Sequence, residues 1–375
     1  MTILFMQRDM PPRPQPQRLA PNERGELDAA MRAMPMQRLV GNGMSLADAT
    51  ALHAMAADGV PWTEAAVWIG ACNLLLAERF ERESFASSAV RHYRHAAAAF
   101  RFGQSPIMLD RPEKIAVYER ALDAFTRGAR LSDLPHDKVA IPYAGQTMTG
   151  WLIRPAGVTR PNAVIVFGGA DGWREEYHEG SLSLVGQDLA VLLLDGPGQG
   201  ETRLLQQLYL DANLHRGISA AVSFLLEDDR VGTRIGLWGN SLGGNFALRT
   251  AAADPRVAAC CDNSGPPDPS RIFESFPRII DRFRAMTGEL DVEQTRRIFQ
   301  NLRILPGDNR VTCDLLILQG NKDPLVSDDD ARMIFESAPA ARKRLVIWDD
   351  GDHCIYNHTD EKHALIADWF RAALR

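Results

Sequence analysis

Hydrophobic and polar positions divide the chain into two patterns that meet near residue 134. Between about residues 24 and 130, apolar side chains recur every three or four positions over 27–34, 45–58, 63–80, 88–102 and 111–127, with Gly or Pro in several gaps. That spacing predicts amphipathic helices, with Ser45 and Thr63 as N-caps, and carries no strand signal. After Leu134 the period changes. Residues 139–143 and 147–154 flank a turn at Ala144-Gly145-Gln146 and predict a β-hairpin. Apolar runs follow at 163–167, 189–194, 235–238, 257–261, 315–318 and 344–348, with helical stretches such as 216–227 and 362–374 between or after them. Strands buried on both faces and alternating with helices imply a mainly parallel sheet covered on both sides, an α/β fold. Residues 270–306 break the alternation, read as helical, and predict a lid-like insertion.

Composition adds limits. A chain of 375 residues, 45% hydrophobic and 24% charged, suits one large domain plus an appendage, or two domains. The predicted division is an arm over 1–22, rich in Pro, Arg and Gln and either mobile or draped, then a helical domain over 23–134 and an α/β domain over 135–375. A net charge of −6 with a pI near 5.9 gives no general attraction to nucleic acid or to an anionic membrane. Five cysteines at no repeated spacing suggest a reducing compartment. The first six residues are too short for a signal h-region, and no run approaches a membrane span, so the expected location is the cytoplasm.

The α/β half is organised around Gly239-Asn240-Ser241-Leu242-Gly243, which follows a buried strand and opens a helix of small residues. In a G-x-S-x-G turn the glycines admit a sharp strand-to-helix reversal, and the serine oxygen is lifted out of the sheet at a helix N-terminus. Ser241 is therefore the candidate nucleophile. Ligands in open α/β sheets bind beyond the carboxyl ends of the strands, so the acid and the base belong just after later strands. Asp323 and His353 stand there, and the chain order Ser, Asp, His is that of α/β-hydrolases. Asp262, also at a strand end, is a rival for the acid. An oxyanion hole needs two backbone donors: Leu242 supplies one, and Ala170, with Gly169 as the alternative, supplies the other from the glycine turn after the first long strand.

Other motifs lead away from cofactors. Asp195-Gly-Pro-Gly-Gln-Gly200 has the wrong spacing for a dinucleotide, and Glu201 stands where phosphate would sit, so it reads as a turn bordering the site. His92, His95 and His358 lack partners at metal-ligand spacing, and Cys354 reads as a small packing residue. No cofactor or metal is expected.

Trp238-Gly-Asn-Ser-Leu-Gly-Gly-Asn-Phe-Ala-Leu248, Asp195-Gly-Pro-Gly-Gln-Gly200, Phe167-Gly-Gly169 and Gly351-Asp-His-Cys354 together resemble the 2,6-dihydroxypseudooxynicotine hydrolase-like α/β-hydrolases. That group includes fungal chain-shortening hydrolases of pigment biosynthesis and proteins of the FrsA type. Arg91-His-Tyr-Arg-His-Ala through Phe100, with Gln104, Lys114 and Tyr118, is similar to its helical cap. The resemblance implies a cap domain, a homodimer, and either hydrolysis of a carbon–carbon bond beside a ketone or esterase activity. It also implies an auxiliary glutamate near the lid, for which Glu274 is the candidate.

The residues and the resemblance together favour a serine hydrolase acting through an acyl-enzyme on a small aromatic or polyketide-like carbonyl compound. The expected substrate cleft lies between cap and core, with Trp173, Phe273 and Phe276 available to line it. An acyltransferase, cyclase or elimination catalyst would use the same residues, and a non-catalytic binding protein on this scaffold is a further alternative.

Overall fold

The computed structural model describes residues 10–375 except 171 and 308. Its contacts divide the chain into two compact units, one ending at Asp133 and one running from Leu134 to Arg375.

The first unit is helical: α1 (Pro21–Ala33), α2 (Met36–Gly41), α3 (Leu46–Ala57), α4 (Trp62–Arg82), α5 (Ala86–Gln104) and α6 (Pro112–Leu131). Leu52, Met55, Trp62, Ile69 and Phe102 share its main apolar core. Close approach of α4 and α5 depends on Gly70, where a Cβ would come within 2.5 Å of the Phe100 ring. Ser45 caps α3 by accepting from Asp48 N at 3.0 Å. Thr63 does not cap α4. The helix starts at Trp62, behind Pro61 with its φ of −54°, and Thr63 Oγ1 instead donates to the Gly103 carbonyl at 2.8 Å. Of the predicted arm, residues 1–9 lie outside the described residues. The remainder is draped over this unit: Trp68 Nε1 donates to Pro11 O at 2.9 Å and Gln17 N to Gly59 O at 3.2 Å. The arm also ends earlier than composition suggests, because Pro21 opens α1, a position that its fixed φ suits.

The second unit is an eight-stranded sheet in the order β1-β2-β4-β3-β5-β6-β7-β8. Its strands are β1 (His136–Tyr143), β2 (Gln146–Ile153), β3 (Ala163–Phe167), β4 (Ala190–Asp195), β5 (Ile235–Asn240), β6 (Val257–Asn263), β7 (Asp314–Gly320) and β8 (Lys343–Trp348). The β1/β2 hairpin joins β4 antiparallel; every other pairing is parallel. Strands β3, β4 and β5 are buried along their whole length, in keeping with their unbroken apolar runs. The helices of this unit are α7 (His178–Val185), α8 (Gly200–Leu204), α9 (Leu214–Glu227), α10 (Leu242–Ala253), α11 (Ile272–Ser275), α12 (Ile280–Met286), α13 (Val292–Gln300), α14 (Asp328–Ser337) and α15 (Thr359–Ala373).

Strand order reverses at β3, which is flanked by β4 on one side and β5 on the other. At such a switch point the connections leave in opposite directions and open a crevice at the carboxyl ends. Here those ends are Gly168-Gly169 and Ser241. Helices α11–α13 form the insertion between β6 and β7, and it has an aromatic core of its own. Phe283 and Phe299 stack at 4.3 Å, and Phe273 meets each at 5.4 Å. Phe273 is buried in this packing. The ends of the insertion are clasped by Asn245 of α10, whose Nδ2 donates to Pro266 O at 2.9 Å and Leu302 O at 3.0 Å. No helix of the described residues is long and apolar enough to cross a membrane.

Candidate active site

Ser241 sits between β5 and α10 with φ 57° and ψ −131°, a conformation that costs a non-glycine residue about 1–3 kcal/mol. The surroundings enforce it. Ser241 N donates to Asn263 O at 2.8 Å, and Ser241 O accepts from Gly244 N at 2.7 Å. Gly239 is required for the reversal, since a Cβ there would fall on the Gly243 carbonyl and lie 2.7 Å from Gly244 N. Gly239→Ala should destabilise the fold by about 3 kcal/mol, the upper end for overpacking, and so lower the Tm of the Leu134–Arg375 unit by about 6–12 °C. Thermal unfolding checks it; an unchanged Tm would show that the turn does not need glycine.

His353 brings the three candidates together. Its Nε2 is 2.8 Å from Ser241 Oγ, and its Nδ1 is 2.7 Å from Asp323 Oδ2. With a carboxylate as acceptor, Nδ1 carries the proton and Nε2 is left to accept from the serine hydroxyl. The other oxygen of Asp323, Oδ1, accepts from Leu325 N at 2.8 Å and Val326 N at 3.2 Å. Burial works to raise this carboxyl's pKa, but His353 and the two N–H groups outweigh it and hold the carboxyl below its ordinary range. Burial likewise opposes charge on His353; coupling to Cys354 and to the Asp323 carboxylate prevails and raises its pKa. The Asp323 side chain is fully buried, whereas that of His353 is 22% exposed.

The turn carrying His353 has two left-handed residues, Cys354 (φ 60°) and the β-branched Ile355 (φ 55°), the latter a conformation rarely tolerated. It is anchored from three sides. Cys354 N donates to Ser264 Oγ at 3.1 Å. Cys354 O accepts from Lys362 Nζ of α15 at 2.7 Å and from Asn263 Nδ2 at 3.4 Å. Lys362 is buried, and desolvation lowers its pKa to about 8. No sequence motif marks Lys362. The usable signal is a lysine on the buried face formed by Ile366 and Phe370 of the same helix.

The turn after β3 lies against the elbow: a Cβ on Gly169 would come within 2.7 Å of Leu242 N and 2.9 Å of Ser241 Cβ. Gly169 and Ala170 therefore belong to the neighbourhood of Ser241 and Leu242. Asp171, in the same turn, is outside the described residues. At the end of β4, Asp195 Oδ1 accepts from Arg174 N at 3.1 Å, and its Oδ2 accepts from Glu201 N at 2.9 Å. The buried Arg174 guanidinium pairs with Glu201 and with Glu175 at 2.7 Å. The turn after β4 is thus filled by its own ion pairs, with Glu201 at the place where a phosphate would need room.

The structure does not bring Asp262 or Glu274 to the cluster. Asp262 Oδ1 accepts from Gly265 N at 2.8 Å, and burial pushes its carboxyl up to about 8. Glu274 is exposed on α11 and pairs with Arg296 at 3.3 Å. His92 Nδ1 lies 2.9 Å from Asn73 Oδ1, and His358 pairs with Asp350 at 2.7 Å.

Four similarities to known proteins bear on this site. The model of the "Alpha/beta hydrolase family" matches residues 156–368. The chain is 28% identical over 255 residues to the 2,6-dihydropseudooxynicotine hydrolase of Paenarthrobacter nicotinovorans, covering 67% of this chain and 68% of that one. A crystal structure of a 2,6-dihydroxy-pseudo-oxynicotine hydrolase superposes with a TM-score of 0.81 at 25% identity, over 91% of this chain and 96% of that one. A 20-hydroxy-prefusarin hydrolase of Gibberella moniliformis is 33% identical over 175 residues, 44% of this chain and 42% of that protein.

Proposed function

This chain belongs to the alpha/beta hydrolase family, and from that premise we propose that it is a serine hydrolase working through an acyl-enzyme, with Ser241 as nucleophile, His353 as base and acid, and Asp323 as the acid that orients it. The observation that carries the reading is the unbroken hydrogen-bond chain Ser241 Oγ–His353 Nε2, His353 Nδ1–Asp323 Oδ2, at 2.8 and 2.7 Å.

In the first half-reaction the Ser241 oxygen bonds to a substrate carbonyl carbon while His353 Nε2 takes its proton. Charge gathers on the carbonyl oxygen, where the N–H groups of Leu242 and Ala170, or Gly169, stabilise it. Collapse breaks the bond to the leaving group, which departs with the proton from His353. Water, activated by the same histidine, then releases the acid and frees the serine. For an ester the leaving group is an alcohol. For a ketone-adjacent carbon–carbon bond it is an enolate carbon, which needs either protonation by His353 or delocalisation into a neighbouring carbonyl or aromatic ring. Relatives named 2,6-dihydropseudooxynicotine hydrolase and 20-hydroxy-prefusarin hydrolase are in keeping with the small aromatic or polyketide-like carbonyl substrate expected from the sequence.

The test pairs a p-nitrophenyl ester series with an acyl-phenol and β-diketone series, alongside fluorophosphonate labelling read by intact mass. One label per chain on Ser241 with turnover is expected, and the faster series names the bond. Labelling without release of acid from either series would replace hydrolysis by acyl transfer or elimination. Neither labelling nor turnover would leave a binding protein on a hydrolase scaffold.

A further inference from the structure

We propose that Gln199 is the positioning residue of the oxyanion turn: its amide grips the backbone carbonyls of Gly168 and Gly169 and so faces the Gly169 and Ala170 N–H groups toward the substrate oxygen. This rests on the reading of Ser241 as nucleophile and adds a residue to it.

Gln199 lies in the glycine-rich turn after β4 and is 4% exposed. Its Nε2 donates to Gly168 O at 2.5 Å and lies 3.5 Å from Gly169 O. Its Oε1 accepts from Gly196 N at 3.0 Å, which fixes the amide's orientation from its own side. In a trans peptide the C=O and the following N–H point in opposite directions. Drawing two successive carbonyls toward Gln199 therefore turns the Gly169 and Ala170 N–H groups to the opposite side. The glycines need such a restraint, because their peptide planes rotate at little steric cost. The restraint acts at the point of contact with the nucleophile, since Gly169 packs on Ser241 and Leu242.

The same β4 turn holds the far end of the segment, where Asp195 accepts from Arg174 N. Gln199 and Asp195 bracket the donor-bearing stretch. This gives the Asp195–Gly200 motif a task that does not involve phosphate. It also explains a neutral amide at 199, since a carboxylate there would face two carbonyl oxygens with no proton to share.

Gln199→Glu and Gln199→Met are compared with wild type and Ser241→Ala on whichever substrate the wild type turns over fastest. Read in each are kcat, KM, Tm and the inhibition constant of a trifluoromethyl ketone, which forms a tetrahedral oxyanion on serine. Both variants should lose about 10- to 100-fold in kcat, somewhat less than loss of a whole oxyanion donor, with KM within about twofold. The ketone should bind more weakly by a similar factor. In Gln199→Glu the deficit relative to wild type should shrink as pH falls, because a protonated carboxyl can again donate to Gly168 O and a buried carboxyl takes up its proton early. Gln199→Met should show no such recovery. Wild-type kcat and ketone affinity in both variants would overturn the proposal, and so would a loss confined to Tm or KM. A wild type that neither turns over nor labels would overturn the nucleophile reading, and this one with it.

Discussion

Ser241→Ala is expected to lower kcat by about 10⁵ to 10⁶, the range for removing the serine from a cooperating set, while leaving the fold in place. The hydroxyl has one assigned partner, His353 Nε2, and the backbone that holds the turn does not depend on it. Ser241 N and O keep their bonds to Asn263 O and Gly244 N, and alanine retains the Cβ that already tolerates φ 57°. Stability should stay within about 1 kcal/mol, since no buried partner is stranded without an alternative: His353 is 22% exposed and can turn to water. A matched loss of turnover and fluorophosphonate labelling, with an unchanged melting curve, is the expected result. Residual turnover above about one part in a hundred could not come from binding and oxyanion stabilisation alone, and it would move the nucleophile elsewhere.

Much of this site is legible in the residues because its geometry is local. Gly239 and Gly243 flank a serine whose turn only glycines permit, and the β5 run before it places that turn at a carboxyl end. The choice between Asp262 and Asp323 was not legible in the same way, since both follow apolar runs. What separates them is side-chain direction. Asp262 is spent on Gly265 N beneath the start of α10, while Asp323 turns one oxygen onto its own loop and the other onto His353. Lys362 and Gln199 escape a motif search for a related reason. Each acts by binding a backbone carbonyl far away in sequence, 8 residues for Lys362 and 31 for Gln199, and a carbonyl has no residue type to recognise. The Thr63 cap fails because Pro61 sets the helix start earlier. The sheet order is not carried by the pattern: apolar runs imply parallel strands, but the reversal at β3 is a property of the connections.

Asp323→Asn is expected to lower kcat by about 10⁴ with little change in KM, the loss that accompanies a reversed imidazole tautomer. The structure says which way the asparagine must sit. Oδ1 serves Leu325 N and Val326 N, so the amide oxygen is held there and the NH₂ group replaces Oδ2. A donor then faces His353 Nδ1, the ring gives up that proton, and Nε2 carries hydrogen toward Ser241, where it can no longer act as base. The pH dependence should shift with it. Only neutral His353 can take the serine proton, and its pKa is raised from 6.5, so wild-type kcat/KM should climb with pH through a value above 6.5. Without the carboxylate that limb should move to lower pH. Stability moves in the other sense: the Asp323 pKa is lowered from 3.8, so its contribution is present above that value and is lost as pH falls through the native one. Acid unfolding should therefore be less steep in the variant. Asp262→Asn, by contrast, should keep kcat within about tenfold, because that carboxyl reaches no group of the relay; the expected magnitude is that of a packing change near the elbow. If Asp262→Asn were the more damaging substitution, the acid of this site would be the one at the end of β6.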